Sequence, residues 1–146
     1  MRCALKSVPI FAGLDEKALD VLLEHAERET YPEGKIVLRE GENGNRMFVI
    51  EEGKVLIVKN FGRENEIEFA RFGPGDFFGE MCILEPMPRE ATAQAVTESA
   101  LIGISSSGFH HLYQKMPEQY SILILNIARD LCRRLRRLDE AFAAKQ

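Results

Sequence analysis

Residues 46–60, "RMFVIEEGKVLIVKN", decide the fold. Two short runs rich in Val, Ile and Phe flank Glu52 and Gly53, and such runs on either side of a turn-forming pair read as two strands of a hairpin. Working outward, a period of two extends from Thr30 to Ile104. Gly34, Gly41, Gly44, Gly53, Gly62, Gly73 and Gly75 punctuate it at intervals suited to tight turns. "IEFARFGPGDFF", residues 67–78, is a further strand followed by a Gly and Pro turn. About eight short strands at regular spacing imply a mainly β sandwich, barrel or roll.

Helices flank this region. In "LDEKALDVLLEHAERE", residues 14–29, Ala18, Val21, Leu22 and Ala26 share a helical face, and Asp15 and Glu16 sit in the first turn where the helix dipole favours acids. After "ISSSGF", Ser105, Ser106 and Ser107 are candidate N-caps, and helical spacing continues past Pro117 to Phe142. The expected organisation is a single domain over 1–146, with an N-terminal helix at 14–29, β-strands at 30–104 and C-terminal helices at 105–144. In the last helix Ile124, Ala128, Leu131, Leu135, Leu138 and Phe142 follow alternating steps of four and three, a seam suited either to the chain's own β-structure or to a second copy in a homodimer.

Composition narrows the class. The chain has 146 residues and a net charge of -4, so no global field favours nucleic acid or anionic lipid. Cys3, Cys82 and Cys132 form an odd set without CxxC spacing, which argues against a disulfide framework and a zinc site and for a reducing cytoplasm. No stretch approaches the roughly 20 apolar residues needed to span a bilayer, so no membrane is expected. His110 and His111 are adjacent on a helix and His25 lies apart, so no metal is expected, and no nucleophile has a partner base at usable spacing, so the chain does not read as an enzyme.

One loop remains, "DFFGEMCILEPMPREATAQA", residues 76–95. Gly79 opens one helical turn whose first N–H groups lack intrahelical partners, a place suited to a phosphate. Arg89 returns to the same place with a planar guanidinium able to grip two oxygens. Glu80 cannot stabilise an anion and more naturally accepts from a sugar hydroxyl. The ligand implied is a phosphorylated ribose. From charges alone, a Glu80–Arg89 ion pair across an empty loop explains the same residues.

At these residues the sequence resembles a known family. "FGEMCIL" followed by "PREAT" is similar to the phosphate-binding cassette of cyclic nucleotide-binding domains, the family of catabolite activator proteins, kinase regulatory subunits and cyclic nucleotide-gated channels. "PIFAGLDEKALDVL", "YPEGKIVLREGENGNRMFVIEEGKVLIV" and "FGPGDFFGE" extend the likeness from Val8 to about Leu138. The resemblance implies an eight-stranded β-roll with a cassette at 78–92, and cAMP or cGMP as ligand. It makes Glu80 the ribose 2′-hydroxyl acceptor and Arg89 the partner of the cyclic phosphate, with Gly79, Met81 and Cys82 lining the phosphate and Phe78, Pro88, Glu90, Ala91 and Thr92 completing the cassette.

The pattern departs from the family at Cys82, where alanine is usual, and at Glu90, where a small or hydroxyl residue is common. Glu90 either turns to solvent, accepts from a guanine, or marks a domain that no longer binds nucleotide; Thr92 can still offer a hydroxyl. In activator-type dimers hydroxyl residues of the long helix reach the purine, and here Leu138 and Asp139 stand in their place, so the base is not specified. Arg133, Arg134, Arg136 and Arg137 read as solvated faces beside the seam. With the chain ending at Gln146, a helix-turn-helix output is not expected. Two functions stand: a sensor that signals through its C-terminal helix to an effector protein, and a ligand-free dimerisation or docking module.

Overall fold

A computed structural model describes residues 1–145. Its eight strands form two four-stranded antiparallel sheets. The first holds β1 (Ala26–Tyr31), β8 (Ser99–Ser105), β3 (Arg46–Glu52) and β6 (Phe77–Phe78), in that order. The second holds β2 (Ile36–Leu38), β7 (Thr92–Ala95), β4 (Val55–Lys59) and β5 (Ile67–Phe72). Five helices surround them: α1 (Arg2–Lys6), α2 (Glu16–Leu23), α3 (Met81–Leu84), α4 (Ser106–Lys115) and α5 (Pro117–Ala144). The mainly β roll with a long C-terminal helix is the fold expected.

β3 and β4 do not form the expected hairpin. β3 pairs with β8 and β6, whereas β4 pairs with β5 and β7 in the other sheet. The reason lies in burial on both faces of β3. Met47 and Val49 pack under the helices, while Phe48 and Ile50 fill the space between the sheets, so β3 belongs to a layer covered on both faces, whereas β4 buries only Val55 and Val58 and suits the outer sheet. The chain leaves that layer at Gly53, where φ is +95° and a side chain would collide with Ser99 and the Glu98 carbonyl.

The first sheet is therefore the middle layer. One core lies between the sheets around Tyr31, Phe48, Val55, Phe78 and Leu101; the other joins Met47, Ile102 and Ile104 to Leu19, Leu22, Phe109, Leu123 and Ile127 of the helices. The second sheet has an exposed outer face, and the edge strand β5 presents Ile67 and Phe69 to solvent.

The N-terminal helix is shorter than the 14–29 expected. Asp15 caps α2, its side chain accepting from the Ala18 N–H at 2.9 Å, and the helix ends at Leu23. Ala26 to Tyr31 instead form β1, fully registered on β8 from Ala26 opposite Ile104 to Tyr31 opposite Ser99. The ladder outweighs the helical propensity of "AERE". Ahead of α2, Leu5, Ile10 and Phe11 are buried, so the N-terminal segment closes the helical side of the core. At the other end Ser105 is the cap of α4, accepting from the Gly108 N–H at 3.3 Å.

Candidate functional site

The loop between β6 and β7 closes on a cleft of about 470 Å³, walled by the second sheet and covered by α5. Phe78 anchors it, buried and stacked on Phe48 with ring centroids 5.4 Å apart. The chain then turns at Gly79, at φ +80°, where a Cβ would come within 3.0 Å of Arg89 Nη1. Glu80 sits at the N-cap of α3 without a side-chain capping bond, leaving the first N–H groups of that turn open.

Arg89 enters the same space. Its Nη1 donates to the Gly79 carbonyl and to Cys82 Sγ, each at 3.1 Å, and its Nη2 donates to the Arg46 carbonyl at 2.7 Å. Every one of these partners is uncharged. Among the described residues no carboxylate pairs with Arg89, so the Glu80–Arg89 bridge that charges alone allow is not formed. The backbone around Arg89 is held as well: its N–H donates to the Glu42 carbonyl at 2.8 Å and its carbonyl accepts from the Gly41 N–H at 2.8 Å. Gly44 completes this cradle, because a Cβ there would overlap the guanidinium.

Glu80 is 3% exposed and takes a partner that sequence reasoning assigned to solvent. Arg134 of α5 donates from Nη1 to Glu80 Oε1 at 3.1 Å and from Nη2 to the Phe77 carbonyl at 3.2 Å. Its guanidinium lies over the rings of Phe77 and Phe72, 4.5 and 5.3 Å from their centroids. Asp130 stands one turn earlier with Oδ2 at 2.8 Å from Nε, close enough to pair but without the alignment of a hydrogen bond. Burial pushes the Glu80 carboxyl above the usual carboxylate range, and the Arg134 charge opposes that shift. The Cys82 thiol is likewise pushed up by burial, with Arg89 opposing.

Of the residues singled out in the sequence, Phe78, Gly79, Glu80, Met81, Cys82, Pro88, Arg89, Glu90 and Ala91 all line the cleft. Thr92 does not. Its buried hydroxyl accepts from the Glu40 N–H at 3.1 Å, while its neighbours Ala91 and Ala93 face the cleft. Glu90 is exposed and has no ion-pair partner among the described residues. Leu138 reaches the mouth of the cleft beside Arg137. Gly44 and Arg134 were missed; the signal for Arg134 was its place four residues after Asp130, on the face of α5 that carries Ile127 and Leu131 inward.

The fold recurs in known proteins. The family model described as cyclic nucleotide-binding domain matches residues 28–116, and the chain belongs to that family. It is 32% identical over 135 residues to the "Cyclic AMP receptor protein" of Thermus thermophilus, covering 92% of this chain and 61% of that protein. The crystal structure of the N-terminal domain of a transcriptional regulator from Streptomyces coelicolor superposes with a TM-score of 0.77 at 30% identity, covering 95% of this chain and 94% of that one. The regulatory domain of Toxoplasma gondii PKA, crystallised with cAMP, gives 0.73 at 26% identity, over 88% of this chain and 48% of that one. The chain spans about three fifths of the length of the first curated relatives it matches. No described helix is long and apolar enough to cross a membrane.

Proposed function

We propose that this chain is a cyclic nucleotide sensor. The observation that carries the reading is Arg89: a guanidinium oriented by two main-chain carbonyls and a thiol, facing the cleft without an ion pair to either of the carboxylates that line it, Glu80 and Glu90. An anion supplies the missing charge, and the open N–H groups at the start of α3 belong to Met81 and Cys82, which line the same cleft. The cyclic phosphate binds there, Glu80 accepts from the ribose hydroxyl, and Leu138 packs on the base from α5. Cyclic AMP is the ligand favoured by the relatives' names, cAMP receptor protein among them.

The output runs through α5. Arg134 holds Glu80 through Oε1, so a ribose hydroxyl reaching Glu80 competes with the helix for the same carboxylate. Binding then shifts the distal half of α5, and with it the exposed apolar residues that a second copy or an effector protein would cover. Glu90 is exposed at the rim and has no ion-pair partner among the described residues, so its carboxylate is free to turn to water and leave the phosphate site usable.

Calorimetric titration with cAMP and cGMP, after confirming that no nucleotide co-purifies, tests the reading. Micromolar or tighter binding of either is expected. Absence of heat and of any thermal shift at millimolar nucleotide sinks it and leaves the docking module, in which Arg134 locks the cleft.

A further inference from the structure

Far from the cleft, the fold joins two histidines that stand 86 positions apart in sequence. His25 Nε2 lies 3.1 Å from His111 Nδ1, and His111 Nδ1 lies 3.5 Å from Glu24 Oε2. We infer that Glu24, His25 and His111 form a binding site for a zinc-type divalent cation, stapling the end of α2 to the middle of α4.

The distances fit the metal. Ligand atoms about 2.0–2.1 Å from a tetrahedral zinc stand about 3.3 Å from one another, and the two measured separations bracket that value. All three ligand atoms lie within 4.8 Å of one another, and the remaining edge closes by a small swing of the exposed Glu24 side chain. The rings meet edge to face at 80° with centroids 5.2 Å apart, which leaves His25 Nε2 and His111 Nδ1 adjacent and within reach of one ion. Without a metal only one proton can sit between the two nitrogens. Two imidazoles and one carboxylate leave a fourth position open to water, the donor set of an accessible zinc site.

The scaffold beneath is rigid. The His25 carbonyl accepts from Ser105 Oγ at 3.3 Å, tying the end of α2 to the cap of α4. Gly108 lets the helices meet, since a Cβ there would stand 3.2 Å from the Leu22 carbonyl and 3.4 Å from His25 Cβ. The two histidine backbones are thus positioned before any ion arrives. Because α4 runs directly into α5, an ion at this joint fixes the base of the long helix.

The test is titration of the purified, metal-stripped full chain with zinc chloride, followed by calorimetry and thermal melts, with His25→Gln and His111→Gln beside the wild type. Both histidines are accessible enough for the variants to fold, which circular dichroism confirms independently. One zinc per chain is expected, with a raised Tm, and with affinity falling at least about tenfold in each variant. Cobalt substitution separates this site from the exposed thiols of Cys3 and Cys132, since nitrogen and oxygen ligation lacks the thiolate charge-transfer band. No binding by the wild type, wild-type affinity retained in both variants, or a thiolate band that carries the stoichiometric ion overturns the assignment.

Discussion

Arg134 Nη1 stands 3.1 Å from Glu80 Oε1, joining the middle of the long C-terminal helix to the deepest carboxylate of the cleft across 54 positions of sequence. The pair is asymmetric: Glu80 is 5% exposed in its side chain and Arg134 27%. Removing the arginine therefore strands a buried charge, whereas removing the glutamate leaves a cation that still has Asp130 and solvent.

Arg134→Met keeps the stem over Phe77 and deletes the charge. It is expected to lower stability at neutral pH by about 1–3 kcal/mol, less than a fully buried pair would lose, because the guanidinium is partly hydrated. Hydrogen exchange in residues 131–144 should accelerate, and cyclic nucleotide should bind more tightly because Glu80 no longer has a competitor. Unchanged protection together with unchanged affinity would sever α5 from the cleft.

Glu80→Gln isolates the cost of the buried charge. The Glu80 value in the folded chain is raised, mainly by burial. A raised folded value means that stability is fully present below the unfolded value, near about 4.3, and is lost as pH rises through the folded one. The amide does not ionise, so its Tm should exceed that of the wild type most at about pH 7–8 and converge with it below about pH 4. A pH-independent difference would show that ionisation of Glu80 carries no net penalty.

Arg89 and Gly44 make a linked pair of tests. Arg89→Ala should cost about 2–5 kcal/mol of nucleotide binding with the fold intact, since it deletes the cation facing the phosphate. Gly44→Ala deletes nothing, yet its Cβ intrudes on the guanidinium, so it should weaken binding through displacement of Arg89. If Gly44→Ala weakens nucleotide binding in an Arg89→Ala background as much as alone, Gly44 acts by some route other than Arg89.

Much of this site was legible before the fold, for a local reason. Gly79, Glu80, Met81 and Arg89 belong to one short segment, and turn chemistry with charge placement is written along the chain. What stayed hidden depends on distant pairing. "RMFVIEEGKVLIVKN" reads as a hairpin because its two runs are adjacent, while the pairings that separate them, β3 with β8 and β4 with β7, are with strands some 35 to 60 positions away. Residues 26–29 read as helix because their strand partner, β8, lies more than 70 positions away. Arg134 looked solvated because its partner Glu80 lies 54 positions earlier, and His25 looked solitary because His111 lies 86 positions later.

The α5 seam yields a prediction in which the fold changes the register read from sequence. Leu131 of the expected stripe packs on the chain's own core, and Ile124 is half-buried. Leu125, Leu135, Leu138 and Phe142 are exposed by 50, 60, 60 and 69%. Leu125, Ala128, Cys132, Leu135 and Phe142 now share one outward stripe, at heptad-compatible steps, with Leu138 turned toward the cleft. A parallel homodimer along this stripe brings Cys132 of each copy to the same level, and Cys132 is an exposed free thiol. Mild oxidation should then give a covalent dimer that persists in Cys3→Ser and disappears in Cys132→Ser, and Leu135→Glu should reduce the solution mass to that of a monomer. A wild-type monomer at high micromolar concentration would refute the dimer; the stripe would then be left for an effector protein, and nucleotide binding would be sought in its effect on that contact.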